Sequence, residues 1–324
     1  MTVIGFVDQN NERITFERLR KGEGDFGPVP RAVVRALSRQ YRAADHYGDP
    51  ELFGGLPAIS MTTLVNPVRI ARLKERHETF VDPLANVWAA FGTIAHGMFE
   101  ADAEAGDMVE RKLAVKRGGI WIVGTFDLLE STGYRSGDPN DPGPPHFAGK
   151  DYKVTSAYSV KSMLGGQVKW DGDKADYFWQ GNGYKWMSEQ DGAFEIIEEP
   201  DPSEALHGRI KMVKKMIPWE PVSIDSWDLV AICRDWNKRS HAKDLPSPFQ
   251  VVPVDLIAEN HRIENYLNQR TTMYLATDMV EDNDLPECTD KEVWGYLPGG
   301  QGRRCSQWCE VANVCNQNLS NMGL

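Results

Sequence analysis

The stretch "GKDYKVTSAYSVKS", Gly149 to Ser162, crowds Lys150, Asp151 and Lys153 into one strand-like run. In a strand the side-chain period is two, so Asp151 and Lys153 point to one face. A carboxylate drawn together with other acids needs a cation beside it, and a Lys next to a metal-bound water can orient or deprotonate it. The same pair also describes an ordinary ion pair on a strand face. What the rest of the chain brings to that strand decides between the two.

Upstream, "RKLAVKRGGIWIVGTFDLLE" holds two alternating runs joined by Gly118-Gly119, which predicts a hairpin whose second strand runs from Ile120 to near Glu130. Asp127 sits on that strand, and Gly124 leaves room for another group to approach. Two carboxylates on neighbouring strands make a hard-oxygen site for Mg²⁺ or Mn²⁺, and a metal is a good reason for a costly buried acid. Taken alone, Asp127 also fits a turn or edge acid. Before the hairpin, Asp82 as N-cap and Pro83 at the first helical position start a helix. Leu84, Val87, Trp88, Phe91, Ile94, Ala95, Met98 and Phe99 are its apolar positions, and Gly106 is its stop. His96 lies on this helix in the row Leu84, Trp88, Gly92, His96, Glu100, where it is either a core imidazole or a ligand that favours Mn²⁺. After the strand of Asp151, a helix from Lys174 to Glu189 puts Gln180 and Tyr184 on one face, against a strand edge, a phosphate or the core.

The 324 residues and 41% hydrophobic content allow a substantial core, and the net charge of −11 repels phosphate in bulk, so a nucleic-acid site must be local. The start of the chain lacks a basic segment followed by an apolar one, and no run approaches the roughly 18 apolar residues of a membrane span. A cytoplasmic protein without a membrane partner is expected. Arg69, Arg72, Lys74 and Arg76 follow Pro67 on a short predicted helix, as a solvated basic face or as a nucleic-acid contact. "SWDLVAICRDW" reads as a buried strand, "FQVVPVDL" as an edge strand because of Pro253, and Asp255 to Thr277 as a helix. Cys288, Cys305, Cys309 and Cys315 form C-x16-C-x3-C-x5-C, not the paired knuckles usual for structural zinc. Four thiolates there suit a [4Fe–4S] cluster, with zinc or free thiols as alternatives. Cys233 reads as a small buried hydrophobe.

The order His96, Gly124-x-x-Asp127, Asp151-x-Lys153, Gln180-x-x-x-Tyr184 resembles the PD-(D/E)XK nucleases of the RecB-like exonuclease family. "ISMTTLVNPVRIARLKERH" and "FGTIAHGMFE" look like its phage-encoded branch. The likeness covers residues 57 to 190 and, through the cysteines, the C-terminal end. It implies an α/β fold with a restriction-endonuclease-like core, a central mixed sheet flanked by helices, closed by a C-terminal metal-cluster segment of four cysteines. It divides the chain into an extension over 1–56, a nuclease domain over 57–280 and a cysteine segment over 281–324, with 190–222 fitting less well, as an insertion would. His96, Asp127, Asp151 and the main-chain carbonyl of Tyr152 would bind Mg²⁺ or Mn²⁺, Lys153 would position the attacking water, and Gln180 with Tyr184 would support the site or the DNA strand. The implied function is a DNA exonuclease in phage recombination, repair or processing, in the host cytoplasm, with DNA and a recombinase or single-strand annealing protein as partners. A non-catalytic DNA-binding or assembly subunit would be expected to lose a motif acid or the Lys, and none is lost. A structure-specific endonuclease would use the same core, and a restriction enzyme would need a base-reading element that nothing here resembles.

Overall fold

The computed structural model describes residues 3–27, 29–43, 50–81, 83, 87–100, 104–133, 143–200, 212–241, 243–307 and 309–321. In chain order the elements begin with β1 (Val3–Val7), β2 (Arg13–Thr15), α1 (Phe16–Arg20), α2 (Arg31–Ala43), β3 (Ala58–Ser60), α3 (Met61–Val65), α4 (Val68–Arg76), β4 (Thr79–Val81) and α5 (Val87–Glu100). They continue with β5 (Met108–Arg117), β6 (Ile120–Gly133), β7 (His146–Thr155), α6 (Ala157–Ser162), a π turn over Met163–Gln167, α7 (Ala175–Ser188), β8 (Phe194–Pro200), β9 (Met212–Pro218) and β10 (Ser223–Cys233). The last are α8 (Lys238–His241), β11 (Phe249–Pro253), α9 (Asn260–Ala276), α10 (Arg303–Gln307) and α11 (Asn316–Asn321). No helix among the described residues is long and apolar enough to cross a membrane.

The chain divides into two compact units, one of Met1–Tyr47, Asn66–Ile94 and Thr272–Leu324, the other of Gly48–Val65 and Ala95–Thr271. These are not the segments 1–56, 57–280 and 281–324 expected from sequence, because α4 belongs with the two chain ends. The first unit holds a three-stranded sheet in the order β2-β1-β4, over a core of Phe6, Ile14, Phe16, Leu19, Phe26, Val34 and Leu37. β2 and β4, of three residues each, leave too short a pattern to be read as strands.

The second unit is built on a large mixed sheet flanked by helices, in the order β11-β10-β7-β6-β5-β8-β9. The predicted hairpin forms between β5 and β6, and Gly118 and Gly119 both take positive φ (53° and 84°), as a tight two-residue turn requires. β11 is the edge strand that Pro253 implied, and β7 runs parallel to β10 but antiparallel to β6. Residues 194–200 and 212–218, within the expected insertion, are strands that extend this sheet beyond β5. β5 occupies one edge of β6 from Ile120 to Leu129. The other edge is shared, with β3 pairing Trp121–Val123 and β7 pairing from Leu128 onward. The sheet therefore forks beside Gly124–Asp127.

Helix α7 closes over this region by close approach. Trp227 of β10 is 1% exposed, and a Cβ on Gly149 of β7 would lie 2.1 Å from its ring, one on Gly181 of α7 2.9 Å from it. Gly183 makes the same room for Met61. Buried Asn182 donates to the carbonyls of Phe178 and Asp255 and accepts from the Ile257 N–H. That clamp holds residues 255–257 out of helix and explains why α9 starts at Asn260 rather than at Asp255. Of the helix expected from Pro83, Val87–Glu100 is described, and the expected N-cap Asp82 and Leu84 lie outside the described residues. Three of its apolar positions, Phe91, Ile94 and Met98, are 51%, 59% and 67% exposed.

Gly149→Ala should cost about 3 kcal/mol, because the added methyl must displace a fully buried indole between two backbones. A denaturant or thermal melt checks this, and an unchanged midpoint would contradict the wedge.

Candidate active site

The fork gathers residues from four elements. The β6–β7 ladder ends at Leu128↔Lys150, and just beyond it the Asp127 carboxylate accepts the Tyr152 N–H at 2.6 Å. The side chain thus takes over where the backbone ladder stops. On β7, Asp151 is 4% exposed and Lys153 Nζ donates to its Oδ1 at 2.9 Å. The ammonium also lies 2.7 Å from Oδ2, yet that oxygen is buried and makes no hydrogen bond of acceptable geometry. Lys150 is committed elsewhere, 2.7 Å from Asp228 and 3.5 Å from Glu130.

Helix α7 supplies the roof. Gln180 donates to the Tyr184 hydroxyl at 3.0 Å and to Thr62, the residue after next beyond β3, at 3.3 Å. Gly124 is small for the reason its position suggested: a Cβ there would sit 2.6 Å from the Tyr184 ring. Burial, and then the negative charge of Asp151, push the Tyr184 hydroxyl up to about 12, so it stays neutral. Burial by itself would lower the Lys153 pKa, but Asp151, then Tyr177 and Asp127, outweigh it and the value is raised. Tyr177 was absent from the sequence reading. Its ring centroid is 5.4 Å from Lys153 Nζ, and burial, followed by Asp176, pushes its hydroxyl up to about 12. Thr62 and Tyr177 carry no motif spacing, so only their neighbours in space single them out.

His96 lies in α5, with its side chain outside the described residues. Among the described residues no three His, Cys, Asp or Glu side chains form a group ready to hold a metal ion. In the first unit, Cys288, Cys305, Cys309 and Cys315 are not paired in disulfides and share one packed cluster with Ile70, Leu73, Leu285, Val293 and Val311. Burial, and then Glu292, push Cys288 up to about 12, and burial also raises Cys305 and Cys309. Cys233 is buried at the end of β10, as expected of a small hydrophobe.

The basic residues of α4 do not form a nucleic-acid face. Arg69 is 2% exposed, donating to the carbonyls of Asp282, Leu285 and Pro286 and to Asn316. Arg72 is also buried, bonded to Tyr274 O, Thr277 and Glu75, with its guanidinium 3.7 Å from the Tyr274 ring centroid. Lys74 pairs with Glu310, and Arg76 holds Asp282 and the carbonyls of Thr277, Asp278 and Val280. These four cations fasten the C-terminal segment instead. Of the other basic residues, Arg111 pairs with Glu195, Arg117 with Glu264, and Lys214 with Glu198.

No family model matches the chain, and neither does any curated protein. A solved structure described as the crystal structure of SSO0001 is similar at a TM-score of 0.44 and 12% identity, over 89% of this chain and 95% of that one. A likeness of that size carries no weight for function, which rests on the geometry above.

Arg69→Ala should destabilise the protein by about 3 kcal/mol, since several buried acceptors lose their donor at once, while leaving any DNA affinity unchanged. A melt beside a DNA titration checks this, and lost affinity in a folded variant would restore the nucleic-acid role.

Proposed function

We propose that the chain is a divalent-metal-dependent DNA exonuclease built on a PD-(D/E)XK core. The observation that carries this reading is the Asp151 carboxylate, 4% exposed, set beside Asp127 and Lys153 in the fork. A carboxylate is costly to bury unless a cation answers it. The donor set suits a hard cation: Asp127, Asp151, the Tyr152 carbonyl and the His96 imidazole would hold Mg²⁺ or Mn²⁺. The ion would supply a Lewis acid and a more acidic water.

The protein's own groups divide the remaining work. Lys153, with its pKa raised, donates hydrogen bonds rather than taking protons, so it orients a water through a lone pair and neutralises phosphate oxygens. Asp151 fixes that ammonium in direction. Gln180 and neutral Tyr184 hold the roof of the site at a set distance through Thr62. The four C-terminal thiols form a separate part of the proposal. Sharing one packed cluster, they would bind an iron–sulfur cluster, or zinc, with a structural role.

The test is digestion of matched linear and covalently closed circular DNA with Mg²⁺ or Mn²⁺, using the wild type and Asp127→Ala, Asp151→Ala and Lys153→Ala, each checked for folding by circular dichroism. Linear DNA should be degraded and circles spared, and each substitution should slow cleavage by at least about 10²-fold. Nicked circles would move the reading to an endonuclease, and inert, folded wild-type protein would overturn it. For the thiols, iron and acid-labile sulfide in anaerobically purified protein should vanish in Cys309→Ser and persist in Cys233→Ser. Stoichiometric zinc without iron would refute the iron–sulfur assignment alone.

A further inference from the structure

Trp294 holds a left-handed backbone, with φ of 62°, which a bulky side chain seldom adopts unless its surroundings fix it there. The Arg304 guanidinium lies over its ring, with Cζ 5.3 Å from the centroid. Through Nη2 it donates to Asn66 Oδ1 at 2.8 Å and through Nη1 to the Glu292 carbonyl at 3.5 Å. The Arg304 main-chain N–H donates to Val293 O at 3.0 Å. Held by its face, its terminal nitrogens and its backbone, the side chain keeps one donor in reserve. Its Nε is buried and has no hydrogen-bond partner among the described residues. A buried cationic N–H without an acceptor is costly, so what stands beside it matters.

The cysteines stand beside it. Arg304 directly precedes Cys305, and Val293, whose carbonyl it binds, packs in the cysteine cluster. Gly302 brings the same loop onto a sulfur, since a Cβ there would lie 2.8 Å from Val293 Cβ and 3.2 Å from Cys305 Sγ. The positive charge of Arg304 bears on three of the four thiols, Cys288, Cys305 and Cys309. Four thiolates outnumber the positive charges of the iron–sulfur core they would hold, so the loaded site is anionic and its sulfurs accept hydrogen bonds. An orphaned cationic donor and an anionic acceptor match in chemistry.

We propose that Arg304 is the charge partner of the four-cysteine site, donating its Nε–H to a sulfur of the bound iron–sulfur cluster and offsetting the negative charge there. Trp294 and Asn66 are the positioning residues that hold the guanidinium in place for it. This rests on the iron–sulfur part of the proposed function and not on the nuclease part, and it gives that site a residue beyond its four ligands.

The experiment reads the loaded site directly. Anaerobically purified full chain is compared as wild type, Arg304→Gln, Arg304→Lys and Arg303→Gln, for the rate at which an iron chelator strips the cluster and for the cluster's midpoint reduction potential. Arg304→Gln should release iron about tenfold faster, as the loss of an outer contact to a metal site does. It should also shift the potential to a more negative value, because an added electron loses the cation and the hydrogen bond that favour it. Arg304→Lys, which keeps the charge without the Nε–H, should fall between that variant and wild type on both measures. Arg303→Gln, which removes an exposed charge one residue away, should behave as wild type. A merely structural Arg304 would lower the melting temperature in Arg304→Gln and leave the potential where it was, which overturns the proposal. Wild-type release and potential in Arg304→Gln also overturn it, and leave the cluster assignment standing. Should Arg304→Gln not fold, wild-type values in folded Arg304→Lys overturn it instead. An equal change in Arg303→Gln does so too, since any nearby charge would then serve. Wild-type protein that holds zinc or no metal overturns the proposal together with the iron–sulfur assignment, and leaves the nuclease reading untouched.

Discussion

One edge of β6 is shared by two strands that arrive from different parts of the chain, and the candidate site exists because they do not meet. β3 takes the edge at Trp121–Val123 and β7 takes it again from Leu128, so Gly124–Asp127 face a gap where a regular sheet would have a ladder. Backbone groups at such a gap need other partners. The Asp127 carboxylate meets the Tyr152 N–H, and the Tyr184 ring fills the space that Gly124 leaves open. An acid that repairs a ladder is fixed in position before any ligand arrives.

Glycines that leave room for bulky side chains let α7 come close enough to complete the site. Gly124 admits Tyr184, Gly149 and Gly181 admit Trp227, and Gly183 admits Met61. Each pairing lets a bulky side chain pack directly against a backbone, which brings α7 close to the sheet. Gln180, Tyr184 and Tyr177 then reach the fork from successive turns of the same helix. The local field follows from this geometry: little water reaches Asp151 and Lys153, and each charge is felt strongly by its neighbours, which raises the pKa of Lys153 and of both tyrosines.

The first unit uses charge differently. Residues 274–286 offer a row of carbonyls to α4, and Arg69, Arg72 and Arg76 answer them with guanidinium forks. A planar group with five donors can bind several carbonyls that no backbone ladder reaches. The same segment leads into the cysteine cluster, where apolar contacts from Ile70 and Leu73 of α4 are part of the packing. A basic stretch that reads as a solvated or nucleic-acid face is in fact the internal fastening of the chain's C-terminal end.

The sequence by itself determined what neighbouring residues dictate. The Gly118-Gly119 hairpin, the bounds of α7, the edge character of β11, and the pairing of Asp151 with Lys153 all depend on turn chemistry, periodicity or a spacing of two, and all were legible. Tertiary structure alone decided the rest. The start of α9 is set by Asn182, 73 residues from the carbonyl it binds, and the fate of Arg69 by a carbonyl 216 residues away. Thr62 and Tyr177 enter the site, and Phe91, Ile94 and Met98 stay exposed, through packing that leaves no mark on local spacing. Periodicity says which face of an element is apolar or charged. What that face meets depends on residues far along the chain, and there the physical reason lies in the fold.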